Sequence, residues 1–543
     1  MIHMFENVKD RLRSMQGGGS LPFGSVVASF QQRIAQIIEN RQMGANLLFM
    51  TTYMAALAQA NATRPEIFAN TAERREYISS PYIARVNTYV KKWNYSYSES
   101  LSFVAERTKN AMLQMMLLRY STAINSNIPD EDFLTNEIDT VKSAYRNQSE
   151  QGFEMLQKWG DAYVAMLLAG TVIAVTIMIS VAIYSPVGME GTLMVSYFVI
   201  LAISGAGIIL MFQSVPEDQK THGLAGRSSK EQDTIHALER IIVPVTVVIG
   251  LVLAILGVSA GLIFILIGIL MAPLGILGYF DDHNITLRDN DFATFIRSFG
   301  AVMGGKATTA VHALRAIDHK SFMALEPLLN SVYSKMNLGL DSRQIWDRFI
   351  GESGSDLIYK YLNIYLDTVR LGGPPDPIGK IVGSSMHEQV LLRERRQMLS
   401  KGFILMLLPM HVVMAGIFIA LFRIMVVLTS SVSSMMTHFQ GSAGASGGST
   451  SAASIGTAMG GSMNMFTNFP EPVMGTYVVI ILTILTAANI IIAKIVGGGD
   501  RYMYYYYIAL FCLLTGLMFL VIPAFVNVFF NPEALTSMSP PAV

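Results

Sequence analysis

The chain has 543 residues, of which 52% are hydrophobic and only 14% are charged. Soluble domains carry about a quarter charged residues, so this composition excludes an ordinary soluble protein and predicts several membrane spans. Basic and acidic residues both number 39, so no net positive charge favours nucleic acid, and we expect no nucleic-acid partner. The single cysteine, Cys512, excludes a disulfide framework within one chain. No apolar core lies between Met1 and Ser20, so we expect no cleavable signal peptide.

The first polar region, residues 1–161, shows apolar residues at helical spacing and no sustained strand alternation. Leu101, Val104 and Met112 belong to one such stripe. The pattern predicts an N-terminal helical segment over residues 1–44 and a first helical domain over residues 45–161.

Six apolar runs are each long enough to cross a hydrocarbon core of about 30 Å, and one of them, residues 241–280, is long enough for two spans. We predict four spans within residues 162–280, with a polar loop at 213–240 and a turn near Gly257. A fifth span is expected over residues 402–428, and two more within residues 474–530.

A second polar block, residues 281–401, separates the fourth span from the fifth. Its apolar residues recur at helical spacing, as in Leu357, Tyr361 and Tyr365, which predicts a second helical domain. Residues 429–473 contain no lysine or arginine and are rich in serine, glycine and methionine, which predicts a flexible loop. Residues 531–543 form a short polar tail.

The basic residues predict the orientation of the spans. An alternating seven-span path places residues 1–161, 213–240 and 281–401 and the linker 494–501 on one side, and all four carry lysine or arginine. Such segments stay in the cytoplasm. We therefore expect a multi-pass protein of the cell membrane, with a cytoplasmic N-terminus and an extracellular C-terminus.

The two polar blocks also resemble each other. Residues 94–98 correspond to residues 337–341, and the Pro-Asp pair at 129–130 corresponds to the pair at 375–376, at offsets of about 245 residues. The fold class predicted is therefore all-α: a polytopic membrane protein with about seven transmembrane helices and two homologous cytoplasmic helical-bundle domains.

Residues 300–308 have the glycine and lysine spacing of a phosphate-binding P-loop. However, Ala307 stands where a serine or threonine would hold magnesium, and the preceding residues 292–302 show helical spacing instead of a buried strand. We interpret the glycines as a turn between two helices. We expect no nucleotide hydrolysis, no cofactor, no metal site and no catalytic residues.

The end of the second block carries the candidate coupling residues. A Gly-Gly pair ends its last predicted stripe, and a basic cluster precedes the fifth span. The cluster can be explained by anchoring to anionic membrane lipid, or by a helix that couples the block to the span and to a partner; the two are compatible. The candidates are Arg370, Gly372, Gly373, Arg393, Arg395, Arg396 and Lys401.

His411 follows Pro409 in the fifth span and is the only histidine in the membrane core. Ionisable groups inside a membrane are candidates for function, so we select Pro409 and His411 as intramembrane candidates. The alternative is a neutral imidazole bonded to a backbone carbonyl beside the proline.

Helical cytoplasmic blocks that each precede membrane helices resemble the type II secretion F-domain superfamily, the inner-membrane platforms of type IV pilus-like machines. Two features narrow the resemblance to archaellum platform proteins. One is Gly-Gly-Pro-Pro-Asp-Pro at 372–377 followed by Arg-Glu-Arg-Arg at 393–396, and the other is Leu-Pro-Met-His at 408–411. The length and the long outer loop agree. The resemblance covers roughly residues 45–530.

The resemblance implies a non-enzymatic platform. It implies that the helical blocks bind a cytoplasmic secretion-type hexameric ATPase, with the coupling residues as candidate docking sites. It further implies that archaellin or pilin subunits move from the membrane into a filament, and that the archaellum motor rotates. We also expect a homodimer.

Two alternatives stay open at this point. The platform of an archaeal adhesive type IV pilus has the same features. A membrane transporter is a different class, which the short outer loops and the prolines Pro244 and Pro273 would suit. The near absence of charged residues at the span centres and the large polar blocks argue against a transporter.

Overall fold

The computed structural model describes residues 22–184, 189–215, 219–223, 229–306, 309–445 and 470–529. Helix makes up 87% of it, and these ranges contain no β-strand, only one isolated bridge between Thr221 and Ser355. The prediction of an all-α chain is therefore confirmed. Most of the predicted outer loop and the predicted tail at 531–543 lie outside the described residues.

The helices of the described ranges are α1 (Pro22–Gln59), α2 (Arg64–Glu73), α3 (Ser80–Trp93), α4 (Tyr97–Glu106), α5 (Ala111–Asn125), α6 (Asp130–Tyr184), α7 (Met189–Ser214), α8 (Lys230–Ile255), α9 (Ala260–Lys306), α10 (Ala310–Ala316), α11 (Glu326–Asn337), α12 (Ser342–Ser353), α13 (Asp356–Arg370), α14 (Pro375–Ala445), α15 (Glu471–Gly497) and α16 (Met503–Phe529).

The described residues form two compact units, which divide between Tyr145 and Arg146. The core of the first unit is aromatic: the ring centroid of Tyr120 lies 5.5 Å from the ring centroid of Phe68 and 4.8 Å from that of Phe133. The Tyr120 hydroxyl donates to Asp130, which also pairs with Arg64. Burial, with the Asp130 charge added, raises the pKa of Tyr120 well above its ordinary value, so this tyrosine acts as a neutral donor.

Seven helices of the described part are long and apolar enough to cross a membrane, judged by length and composition. They are α6, α7, α8, α9, α14, α15 and α16. This number agrees with the seven spans that the apolar runs predict. The turn expected near Gly257 is present, because α8 ends at Ile255 and α9 begins at Ala260.

Long helices join the polar and apolar parts of the second unit without a break. α9 has 47 residues and α14 has 71, and each contains both an apolar membrane segment and a polar segment. The positions expected to separate the second polar block from the spans, near residues 281 and 401, therefore lie inside continuous helices. α14 is also helical as far as Ala445, into the segment expected to be a flexible loop.

The P-loop-like glycines lie inside α9, so their interpretation as a turn between helices is wrong. They form a close contact with α14 instead. A Cβ at Gly300 would lie 2.5 Å from the carbonyl oxygen of Pro375 and 3.1 Å from the Cα of Gly379. A Cβ at Gly304 would lie 2.9 Å from the Cβ of Asp376. Small residues at this spacing allow two helix backbones to approach directly.

A second glycine stripe lies along α9, where Gly261, Gly268 and Gly275 recur every seven residues. This stripe faces α16. A Cβ at Gly275 would lie 2.6 Å from the Cα of Tyr506, and one at Gly261 would lie 2.5 Å from the Cβ of Phe519. The repeat therefore positions α16 against α9 along most of its length.

Helices of similar length recur in the two halves of the chain. α5 and α13 both have 15 residues, and they begin at Ala111 and Asp356. α6 and α14 begin at Asp130 and Pro375, which are separated by the same offset as the first pair. These matches support the proposed duplication, while the boundaries and the homology of the two helical domains stay predictions.

Candidate functional site: two polar networks in the second unit

The basic cluster before the fifth span contributes to a buried polar junction. Arg393 of α14 is 9% exposed and donates to Asp289 of α9 at 2.8 Å. Its guanidinium also donates to the carbonyl oxygen of Gln219 at 2.8 Å. The hydroxyl of Ser355 donates to the other carboxylate oxygen of Asp289. Arg393 thus joins α14, α9, the segment between α7 and α8 and the N-cap of α13.

Lys220 forms the second half of this junction. Its ammonium lies 2.8 Å from both carboxylate oxygens of Asp282, and its carbonyl oxygen accepts from the backbone N–H of Asp356 at 2.9 Å. The neighbouring Thr221 donates to Asp500, which lies between α15 and α16. The sequence indicates only a polar loop here, and no local pattern identifies these partners.

Buried charges cost several kcal/mol to remove from water unless they are paired and hydrogen-bonded. The pairs Arg393–Asp289 and Lys220–Asp282 meet that condition. We refer to Gln219, Lys220, Thr221, Asp282, Asp289, Ser355, Asp356, Arg393 and Asp500 as the polar junction.

The other predicted coupling residues lie in different environments. Arg396 donates to the carbonyl oxygen of Ile495 at 3.3 Å, near the end of α15. Arg395 is exposed and pairs with Glu150 of α6 at 2.8 Å. Next to that pair, Arg146 of α6 binds Glu388 of α14 with two hydrogen bonds of 2.7 and 2.5 Å.

The remaining coupling candidates stay apart from the junction. Arg370 and Gly372 are exposed at the end of α13, where Gly372 has a φ of +95°, and Gly373 is buried. Lys401 is exposed on α14. The structure therefore brings Arg393 and Arg396 to helix contacts and leaves Arg370, Arg395 and Lys401 accessible. Partner docking by any of them stays a prediction.

His411 is the centre of a second network, inside the apolar part of the bundle. The Nε2 atom of His411 lies 2.8 Å from the hydroxyl of Thr515 on α16. The side-chain amide of Asn489 on α15 donates to His411 Nδ1 at 2.9 Å. Tyr163 of α6 donates to the Asn489 amide oxygen at 2.7 Å. The Thr486 hydroxyl lies 3.0 Å from that of Thr515.

These hydrogen bonds assign the tautomer of His411. Because the Asn489 amide nitrogen donates to Nδ1, the ring proton lies on Nε2, which donates to Thr515. Thr515 in turn donates to the carbonyl oxygen of Phe511 at 2.9 Å. The alternative of a bond to a backbone carbonyl is wrong, because both ring nitrogens face side chains. Pro409 is exposed on α14 and is not among these partners.

A smaller group fixes α7 in the same way. The hydroxyl of Tyr477 on α15 lies 2.7 Å from that of Ser196 on α7 and donates to the carbonyl oxygen of Ala174 on α6 at 3.0 Å. We call His411, Asn489, Tyr163, Thr515 and Thr486 the intramembrane network. Every member is at most 2% exposed, so the network fixes the relative rotation of α6, α14, α15 and α16.

Sequence reasoning selected His411 but missed Asn489 and Tyr163. Asn489 lies alone in the apolar run of the sixth span, and an isolated amide at such a depth is a signal that could have identified it. Tyr163 lies at the start of the first span, where a tyrosine is ordinary, so no local pattern marks it.

Comparison with known proteins shows a distant relationship. The chain is 23% identical over 378 residues to the flagella accessory protein J of Methanocaldococcus jannaschii, and the aligned region covers 67% of this chain and 66% of that protein. It is 24% identical over 332 residues to the flagella accessory protein J of Methanococcus voltae, and that aligned region covers 58% of this chain and 57% of the relative. No family model and no solved structure matches the chain.

The chain is therefore a distant homologue of flagella accessory protein J of methanogenic archaea. The matched region spans slightly less than two-thirds of the length of the first relative and a smaller share of the second.

Proposed function

We propose that this chain is the membrane platform of an archaellum. In this proposal it has no enzymatic activity and couples a cytoplasmic hexameric ATPase to filament assembly and rotation. The distant homology to flagella accessory protein J over 378 residues is the observation that carries the proposal.

The continuous helices of the second unit suit the transfer of force. At a rise of 1.5 Å per residue, α14 is about 107 Å long, whereas a hydrocarbon core is about 30 Å thick. The polar part of α14 is braced on α9 by the close contact of Gly300 with Gly379 and by the buried pair of Arg393 with Asp289. A load on the polar part would therefore move the membrane part, because no flexible linker lies between them.

The partners follow from this role. The ATPase docks on the polar helices on the cytoplasmic side, where Arg370, Arg395 and Lys401 are accessible. Archaellin or pilin subunits contact the membrane helices together with lipid, and the chain works as a homodimer. The N-terminus is cytoplasmic and the C-terminus extracellular. Arg393 and Arg396 hold helices together in the coupling path.

Deletion of the gene, with complementation by the full-length chain, tests the proposal. We expect the deletion strain to lose archaella in electron micrographs and to stop swimming, while surface attachment through other pili persists. Loss of attachment with normal swimming would instead indicate the platform of an adhesive pilus. Normal filaments of both kinds, together with substrate flux in liposomes containing the purified chain, would indicate a transporter.

A further inference from the structure

A residue in the left-handed conformation lies between α3 and α4, and another lies between α11 and α12. These residues are Asn94, with φ 57°, and Gly339, with φ 74°. Two residues after each comes the N-cap of the next helix, Ser96 and Asp341. Both pairs have the offset that separates the starts of α5 and α13. The two turns are therefore structural equivalents. In the structure residue 94 corresponds to residue 339, two positions later than residue 337, with which the sequence comparison paired it.

Large apolar side chains flank both left-handed residues and are exposed. Trp93 is 63% exposed and Tyr95 is 38% exposed, while Leu338 is 78% exposed and Leu340 is 56% exposed. None of the four lies in a candidate membrane span. An apolar residue after a left-handed cap commonly packs back on its helix. That contact does not explain the residues before the cap, Trp93 and Leu338.

The first turn presents a continuous aromatic surface. The ring centroids of Tyr89 and Trp93 are 5.6 Å apart, and those of Tyr95 and Phe103 are 5.2 Å apart. The rings of Trp93 and Tyr95 are also neighbours, with their centroids 6.5 Å apart. Exposed tryptophan and tyrosine clusters are typical of the centres of protein interfaces.

The charge next to both turns is mainly basic. Lys91 and Lys92 are exposed in the last turn of α3, and Arg343 is exposed at the start of α12. Two nearby acidic groups, Glu99 and Asp341, are hydrogen-bonded in helix caps: the Ser96 hydroxyl donates to Glu99 at 2.8 Å, and Asp341 accepts from the backbone N–H of Arg343 at 3.2 Å. A complementary partner would therefore have an acidic rim around an apolar pocket.

We propose that the two turns, residues 93–95 and residues 338–340, are equivalent docking sites for a protein made of repeated subunits. Each turn inserts its apolar pair into one copy of the same acidic-rimmed pocket, which explains why both halves of the chain keep the feature with different side chains. The inference rests on the proposed function, in which the hexameric ATPase is that protein.

Binding of the full-length chain in nanodiscs to the purified hexameric ATPase of the same organism tests the inference. The variants are Trp93→Ser/Tyr95→Ser, Leu338→Ser/Leu340→Ser and the combination of all four changes. We expect each pair to weaken binding about tenfold and the combination to weaken it further, because buried aromatic and aliphatic anchors dominate interfaces.

Met115→Ser/Leu118→Ser is the matched control, since both residues are exposed apolar positions on α5. We expect this control to bind within twofold of the wild-type chain. If the wild-type chain binds and the turn variants bind equally well, the docking inference is wrong and the proposed function stands. If the wild-type chain does not bind the ATPase, the coupling function itself is wrong.

A lipid surface is the competing use of an exposed tryptophan flanked by lysines. Brominated lipid in the nanodisc quenches only tryptophan that enters the bilayer. We expect the difference in fluorescence between the wild-type chain and Trp93→Phe to be unaffected by bromination. Quenching of that difference would overturn protein docking at the first turn.

Discussion

The intramembrane network predicts a large loss of stability when Asn489 becomes valine. The substitution removes the acceptor of the Tyr163 hydroxyl and the donor to His411 Nδ1. Hydrogen bonds between membrane helices contribute about 0.6 kcal/mol on average and up to about 1.7 kcal/mol. Asn489 and Tyr163 are 0% exposed and His411 is 1% exposed, so water cannot replace the lost bonds. We therefore expect each of the two lost hydrogen bonds to cost an amount near the upper end of this range. Together they should lower the free energy of unfolding by about 3 kcal/mol, which is about a hundredfold in the unfolding equilibrium constant.

Unfolding in mixed micelles by titration with sodium dodecyl sulfate, followed by circular dichroism, measures this change. Thr483→Val is the control, because Thr483 is exposed on the same helix and bonds only within it, to the carbonyl oxygen of Val479. A double variant with Tyr163→Phe should be less destabilised than the sum of the single variants by about 1 kcal/mol, since no hydroxyl remains unpaired. The reasoning is refuted if Asn489→Val costs no more than Thr483→Val.

Three further predictions concern the helix contacts and one helix cap. Gly300→Ala should lower the free energy of unfolding by about 1–3 kcal/mol, because the added Cβ would meet α14. Gly305→Ala is the control and should be neutral or stabilising, because its added Cβ would meet no atom within 4 Å. Thermal unfolding of the two variants measures the difference. Arg393→Met should cost about 3–5 kcal/mol, because it removes the guanidinium that balances the charge of the buried Asp289 carboxylate. Arg395→Met should cost less than about 1 kcal/mol in the same denaturation assay, and equal losses would contradict the burial argument. Hydrogen bonds from its N-cap serine lower the pKa of Glu99, so the glutamate half of the α4 capping box is fully formed above the ordinary glutamate pKa and is lost as pH falls through the lowered one. Hydrogen exchange measured as the pH is lowered through the pKa of Glu99, with each rate divided by the intrinsic rate at that pH, should show reduced protection at the start of α4. No such change is expected at α5, whose cap does not titrate.

Candidate residues were harder to assign from sequence than helices. The run from Arg393 to Arg396 suggests a single basic surface, yet the structure buries Arg393 in an ion pair and leaves Arg395 exposed. Neighbours on a helix differ by about 100° in direction, so a run of like charges divides among several faces. Which face is buried depends on the packing of α9, α13 and α15 around α14.

The same limit applies to the P-loop-like stretch. Its glycines fit either a phosphate-binding loop or a close helix contact, because both uses require the absence of a side chain. The missing serine or threonine after the lysine position argued against phosphate, but only the position of α14 identifies the actual neighbour of Gly300.

The sequence by itself determined the helical class and the seven apolar spans. Both depend on local properties, since a span requires about 20 consecutive apolar residues and a helix satisfies its own backbone hydrogen bonds. Only the tertiary structure decided which polar side chains meet. Asn489 binds His411, 78 residues earlier, and Tyr163, 326 residues earlier. Such pairs depend on which helices are neighbours and how each is rotated, and a linear pattern does not contain that information.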